Sequence, residues 1–456
     1  MPAVLTTSAA TLILNGTHTG HEVEFTGVGT DSRALMPGML FVALKGERCD
    51  GHDFVPAALA QGASCALVGN DWAAAHADLP LIGVADTRLA LGQLGAHWRT
   101  RFHIPLIGVT GSNGKTTVKE MCAAILRADL GQHAVLATQG NLNNDIGVPL
   151  TLLRLHAPHR AAVIEMGMNH PGEIAVLTRL AQPTVALVNN AQRAHLEGLG
   201  SVEAIARAKG EIFAGLGERG VAVINADDPH AALWRGLNRE RRSISFGFAP
   251  GADVRGVWQP RGVYGLLELD TPHGRAAIDL QVPGAHNARN ALAAAAACLA
   301  AGVPLTPVVR GLSGYAGMPG RLQNKRGAGG ATVIDDSYNA NPDSMRAAID
   351  VLAARPGKRI LVIGDMGEIG ALAGQLHDEI GAYAKSQGID QLFSLGEKSA
   401  AATRNFGAGA LHCKDLPTLV KALLPHLDPD TTVLVKGSRF MGMERAVEAI
   451  AAKEGL

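Results

Sequence analysis

The run Thr110-Gly111-Ser112-Asn113-Gly114-Lys115-Thr116-Thr117 stands between the apolar stretch Ile104 to Val109 and an amphipathic segment carrying Val118, Met121, Cys122, Ile125 and Leu126. The order is strand, glycine-rich turn, helix, which commits this part of the chain to a parallel α/β unit. In such a turn the glycines let backbone N–H groups approach an anion and the helix N-terminus adds positive potential. Lys115 reaches terminal phosphates and Thr116 offers a hydroxyl to Mg²⁺. Gly111, Ser112, Asn113, Gly114, Lys115, Thr116 and Thr117 are therefore the expected cradle of ATP or GTP. The general pattern wants glycine five residues before Gly114, and Val109 stands there, so the loop belongs to a sub-class. A ligand-free turn is the competing reading, and the strand and helix on either side weigh against it.

At 456 residues the chain has room for about three domains. Lys plus Arg equals Asp plus Glu at 41 each, so the global basic field that drives nucleic-acid binding is absent and nucleic acid is not an expected partner. The five cysteines are scattered, without a C-x-x-C pair, as in a reduced cytoplasm. The first positive charge is Arg33, so the basic start of a secretory signal is missing. The longest apolar run, Ala291 to Ala301, is 11 residues and mostly alanine. It is too short for a membrane span and suits a helix packed close against a sheet. A cytoplasmic protein is expected.

Alternating strand-like and helical runs predict an α/β fold in three parts: a small α/β domain over 1–102, a central parallel-sheet domain with the phosphate loop over 103–314, and a second, Rossmann-like α/β domain over 315–456. The break is placed at Gly311 to Gly320, where five of ten residues are Gly or Pro. Residues 248–281 read as a hairpin-rich insertion without a legible role. Polar residues recur just past strand-like runs: Glu165 after Ala162 to Ile164, Asn189 after Val185 to Val188, Asp336 beyond Ile334, Asp365 beyond Ile363 and Lys436 after Val435. Ligands of open parallel sheets bind outside the carboxyl ends of strands, so two facing sheets would gather these groups around one cleft.

Each candidate has a bland alternative. Glu165 holds Mg²⁺, directly or through water, or is a capping or salt-bridged carboxylate. His195 is weak evidence alone, being one of 17 histidines. Lys209 falls on the apolar face of Val202, Ile205, Ala206 and Phe213. It either snorkels to solvent or is buried with a lowered pKa, in which case its neutral amine can take up CO₂ as a carbamate and become an oxygen ligand for a second metal. Asp335 and Asp336 accept from ribose hydroxyls or cap the helix near Ser344. Arg321 clamps a phosphate across the cleft or is a solvated linker arginine.

With these residues in view, nearly the whole chain resembles the ATP-dependent Mur ligases of peptidoglycan synthesis. The family's loop T-G-x-N-G-K-T-T matches Thr110 to Thr117, its metal glutamate Glu165, its asparagine-to-histidine stretch Asn189 to His195, its carbamylated lysine Lys209, its adenine-side asparagine Asn287 and its inter-domain arginine Arg321. The stretch Asp31-Ser32-Arg33 with Leu40-Phe41 resembles a uridine-binding region. The segments Asp335 to Pro342 and Gly364 to Glu368 resemble the member that adds D-alanyl-D-alanine in particular. The resemblance implies ATP, two Mg²⁺ ions and a carbamylated Lys209. Its substrates would be a UDP-N-acetylmuramoyl-tripeptide and D-alanyl-D-alanine, used by a monomer that forms an acyl phosphate.

It further implies Lys115, Lys209, His195 and Arg321 as catalytic residues, with Thr116, Glu165, His195 and Lys209 around the metals and Asn287, Arg321 and Asp336 on the nucleotide. Asp31, Ser32, Arg33, Phe41, Asp365 and Lys436 would face the substrates. Folylpolyglutamate synthase shares the loop and lysine logic without needing the Asp31-Ser32-Arg33 module. A nucleotide-dependent binding protein without ligation chemistry is the reading from another class.

Overall fold

Short β-branched runs closed by glycine or a polar residue form strands, and the periodic segments between them form helices. A computed structural model describes residues 4–47 and 49–452; the outer bounds expected for the first and last domains, residues 1 and 456, lie outside them. The architecture is mixed α/β with three separate main sheets.

The first sheet has the spatial order Thr17–Thr19, Leu81–Val84, Cys65–Gly69, Leu40–Val42, Val28–Gly29, antiparallel only at its first pair. Among the described residues four α-helices lie around it, of which only Thr7–Leu14 and Thr87–Arg99 are longer than six residues. Val55–Ala60 and Asn70–Ala75 are six residues each, too short for a 3.6-residue period to register.

The central sheet has nine strands, ordered Gly274–Leu280, Tyr264–Thr271, Val254–Arg261, Arg242–Gly247, Val221–Asn225, Val185–Val188, Leu106–Thr110, Ala161–Glu165, Val135–Ala137. The phosphate-loop strand Leu106–Thr110 lies between strands that follow it in sequence on either side, at the point where strand order reverses. Its loop leaves from the carboxyl end, and in such sheets this is where ligands bind. Residues 248–281 form the expected hairpins but stand within the central sheet rather than apart from it. Their strands extend the same sheet, parallel at the first join and antiparallel beyond. The alanine-rich helix Ala285–Ala300 packs on this region, with Ala291 to Ala297 fully buried.

The helix Leu305–Ser313 runs into the expected break, because Gly311 has a packing role. A Cβ there would meet Ile125 Cα at 2.5 Å. The last sheet is ordered Gln323–Arg326, Thr332–Asp336, Thr431–Lys436, Lys358–Gly364, Gln391–Leu395, Ala410–Cys413, and only the first pair is antiparallel. Among the described residues no helix is long and apolar enough to cross a membrane.

Candidate active site

The strand ends converge. Glu165, Asp336 and Lys436 are the last residues of their strands, and with the phosphate loop they line one cavity of about 770 Å³ between the central and last sheets. Ser112 to Thr117, His195, Asn287, Arg321, Tyr338 and Glu368 share the lining.

The loop is held in shape by the segment after Val185–Val188. Ser112 N donates to Asn190 O (3.0 Å), Asn113 N to Asn190 Oδ1 (2.9 Å) and Asn189 Nδ2 to Asn113 O (2.9 Å). Asn189 Nδ2 also donates to Asn290 Oδ1 (2.9 Å), and Asn290 Nδ2 in turn to Asn287 Oδ1 (3.1 Å). Gly114, at φ 77°, sits against this ladder, and a Cβ would lie 2.4 Å from Asn290 Oδ1. Only glycine fits there. Lys115 Nζ donates to Gly111 O at 2.7 Å. Burial lowers its pKa, Arg321 adds to that, and Glu165 and Glu368 oppose it.

Glu165 is 2% exposed. Its Oε1 accepts from Asn143 Nδ2 (2.8 Å), and its Oε2 is buried without a partner. A buried, unpaired carboxylate oxygen at the cavity that Thr116 also lines fits a hard cation, which takes oxygen ligands and leaves the remainder to phosphates and water. Among the described residues no cluster of three or more His, Cys, Asp or Glu could by itself cage a metal. His195 adopts the left-handed region at φ 59° and Glu368 does so at φ 58°, a conformation that costs a non-glycine residue on the order of 1 kcal/mol or more and is found at helix ends and turns as well as at active sites. Their side chains approach to 2.7 Å between His195 Nδ1 and Glu368 Oε2, without the alignment of a hydrogen bond. Burial lowers the His195 pKa against the pull of Glu368.

Lys209 lies behind the wall rather than on it. The helix Val202–Gly210 buries it completely, with no hydrogen-bond partner on Nζ. The snorkelling alternative is thereby removed. Burial, reinforced by the charge of Lys115, holds its pKa well below the ordinary lysine value.

The last domain reaches across to the loop. Arg321 Nη2 donates to Thr116 Oγ1 at 2.9 Å while its guanidinium lies 4.2 Å from the Tyr338 ring centroid. Asn113 and Asn341 exchange bonds of 2.7 and 3.3 Å. Asp336 and Lys436 are directly opposed in register and pair at 2.6 Å. Burial pushes the Asp336 carboxyl up against that pairing. Sequence reasoning missed Arg193, whose backbone N and guanidinium bind Asp343 while Nη1 reaches Glu379 (2.9 Å). It also missed Asn143. The run Asn141-Leu142-Asn143-Asn144-Asp145 between strand and helix was the available signal.

Other expected residues lie off the cavity. Phe41 is 1% exposed in the core of the first sheet, so its expected contact with substrate is corrected to packing. Asp365 is likewise corrected. Its carboxylate accepts from Lys398 N and Ser399 N, ordering a turn. Gly111 is buried beneath the loop, with Asn189 against it. Asp31 and Arg33 pair with each other (2.8 Å) on an exposed turn with Ser32, away from the lining.

Three family models match: "Mur ligase family, catalytic domain" over residues 24–99, "Mur ligase middle domain" over 109–298 and "Mur ligase, glutamate ligase domain" over 320–439. The chain belongs to the Mur ligase family. It is 45% identical over 450 residues to the UDP-N-acetylmuramoyl-tripeptide–D-alanyl-D-alanine ligase of Escherichia coli K12, covering 98% of each chain. Its fold is similar to the crystal structure of MurF from Acinetobacter baumannii, with TM-score 0.90, 37% identity and 98% of both chains covered. It is also similar to MurF of Thermotoga maritima in complex with ADP, with TM-score 0.80, 27% identity and 93% and 96% covered.

Proposed function

We infer that the chain is an ATP-dependent ligase that joins D-alanyl-D-alanine to a UDP-N-acetylmuramoyl-tripeptide and so completes the pentapeptide precursor of peptidoglycan. The observation that carries this reading is the single cavity in which a phosphate loop from one sheet meets Arg321, Asp336 and Lys436 from another.

The chemistry follows from the charges. The terminal carboxylate of the tripeptide attacks the γ-phosphorus of ATP, ADP leaves, and an acyl phosphate forms. The dipeptide amine then adds to the acyl carbon and expels phosphate. The first step brings two anions together and the second, attack by a neutral amine, builds negative charge on the acyl oxygen and the departing phosphate, so positioning and charge neutralisation matter most. Lys115 and Arg321 supply fixed positive charge on either side of the transferred phosphoryl group. Asn287 and Asp336 fit the nucleoside. Thr116 and Glu165 would hold one Mg²⁺, and His195 with a Lys209 carbamate a second. Bound there, the metals would offset the charge of phosphates and carboxylate. The orphaned Lys209 amine supports the carbamate. A neutral buried amine is nucleophilic toward CO₂, and the resulting anion would face Lys115 instead of opposing it.

Both halves of the site come from one chain, consistent with a monomer. Cytoplasmic residence agrees with the free cysteines Cys49, Cys65, Cys122, Cys298 and Cys413. The division at about residues 102 and 314 remains our assignment of the domains. Phosphate release measured with each substrate alone and with both tests the reading. Release requiring ATP, UDP-tripeptide and dipeptide together, with the pentapeptide seen by mass, supports it; release with nucleotide alone sinks it in favour of a binding protein.

A further inference from the structure

At the end of the cavity facing the first sheet, two side chains bond only to each other. Arg88, at the start of the helix Thr87–Arg99, pairs bidentately with Asp145, Nη2 to Oδ1 at 2.7 Å and Nε to Oδ2. Both line the cavity and both are exposed. The other carboxylates near Arg88 are Asp86 and Glu173. Asp86 is spent on Arg88 N and Leu89 N, and Glu173 on Asn169 N and His170 N. Arg88 and Asp145 have no further side-chain partner among the described residues.

This pair stands close to the chemistry. Asn143 binds the Glu165 carboxylate directly at 2.8 Å. Asp145 is two residues further along the same loop, within about 7 Å of Asn143 from Cα to Cα. A tripeptide whose terminal carboxylate is activated beside Glu165 therefore has the side chain of its last residue within reach of Arg88 and Asp145.

The charge pattern selects among occupants. A diphosphate would meet one guanidinium among three carboxylates and be repelled. A bare ammonium would find Asp145 and offer Arg88 nothing. An α-amino-acid zwitterion answers both, its carboxylate taking the planar fork of Arg88 and its ammonium taking Asp145. The ion pair given up is then replaced by two.

We propose that Arg88 and Asp145 are the subsite for the side chain of the tripeptide's third residue, and that they select one ending in a zwitterion, as diaminopimelate does, over one ending in an ammonium, as lysine does. The proposal rests on the ligase reading above. It is tested by steady-state kinetics with ATP and Mg²⁺ on the two UDP-tripeptides, using the wild type, Arg88→Met and Asp145→Asn, with melting temperature as a check that the exposed pair is not needed for folding.

The wild type should favour the diaminopimelate substrate by about tenfold or more in kcat/KM, through KM, as charge-assisted hydrogen bonds imply. Arg88→Met should collapse that preference by raising KM for the diaminopimelate substrate, while KM for ATP stays put. Asp145→Asn should raise KM for both tripeptides. Equal use of the two tripeptides by the wild type, or an equal rise in both KM values in Arg88→Met, overturns the subsite while leaving the ligase reading intact. Ligation of neither tripeptide overturns the ligase reading, and the subsite falls with it.

Discussion

Two lysines of the central domain are buried to the same degree and live under opposite conditions. Lys119, on the phosphate-loop helix, donates to Thr138 O at 2.8 Å and pairs with Glu120. Lys209, on the helix Val202–Gly210, has no partner. Lys119 is structural. Thr138 also accepts from Glu165 N through its hydroxyl (3.0 Å), so the lysine braces the strand end that presents the Glu165 carboxylate. Lys209 instead has its pKa driven down by burial, and the surroundings suit it to become something other than an ammonium. Burial alone does not separate structure from chemistry; whether the buried group is satisfied does.

Breaking this contrast at Lys209 should have the largest effect. Lys209→Ala is expected to lower kcat by on the order of a thousandfold, the scale of removing a group that stabilises transition-state charge. Bicarbonate or short carboxylic acids should restore part of the rate, and wild-type turnover in the variant would remove the carbamate. Lys119→Met should do the reverse, costing stability first. Leaving Thr138 O without its donor and Glu120 with Arg127 alone predicts a loss of about 1–3 kcal/mol in urea unfolding.

Loosening the domain interface should affect neither lysine. Arg193 joins the central domain to Asp343 and Glu379 of the last domain. Arg193→Ala should raise KM for the dipeptide roughly threefold to tenfold, since partly exposed pairs are individually modest. Rescue of Lys209→Ala by bicarbonate should be unchanged in the double variant.

The smallest effect sharpens the sign. With CO₂ removed, the folded Lys209 binds a proton less readily than the unfolded one. Its destabilising contribution is therefore full below the folded pKa and fades as pH rises toward the ordinary value of 10.5. The stability gap between wild type and Lys209→Met should narrow with rising pH, and a gap flat to pH 10 would contradict a depressed pKa.

Much of the central sheet was legible because local signals agree there. Leu106–Thr110, Ala161–Glu165 and Val185–Val188 are buried on both faces and read as continuous apolar runs. Val135–Ala137, at the sheet edge, is three residues long and gave no such signal. Lys209 stood out as a charge at an apolar helical position. Phe41 was misread because a motif match says nothing about which way a side chain points.

From the order of residues alone came the phosphate loop, the α/β alternation, the strand-end polar groups and the anomalous lysine, all products of short-range periodicity and backbone sterics. Tertiary structure alone decided that Arg321 reaches Thr116, that Glu368 meets His195, that Arg193 ties two domains and that Arg88 faces Asp145. Those pairs are separated by dozens to hundreds of residues, and only packing of the sheets sets which charges are neighbours.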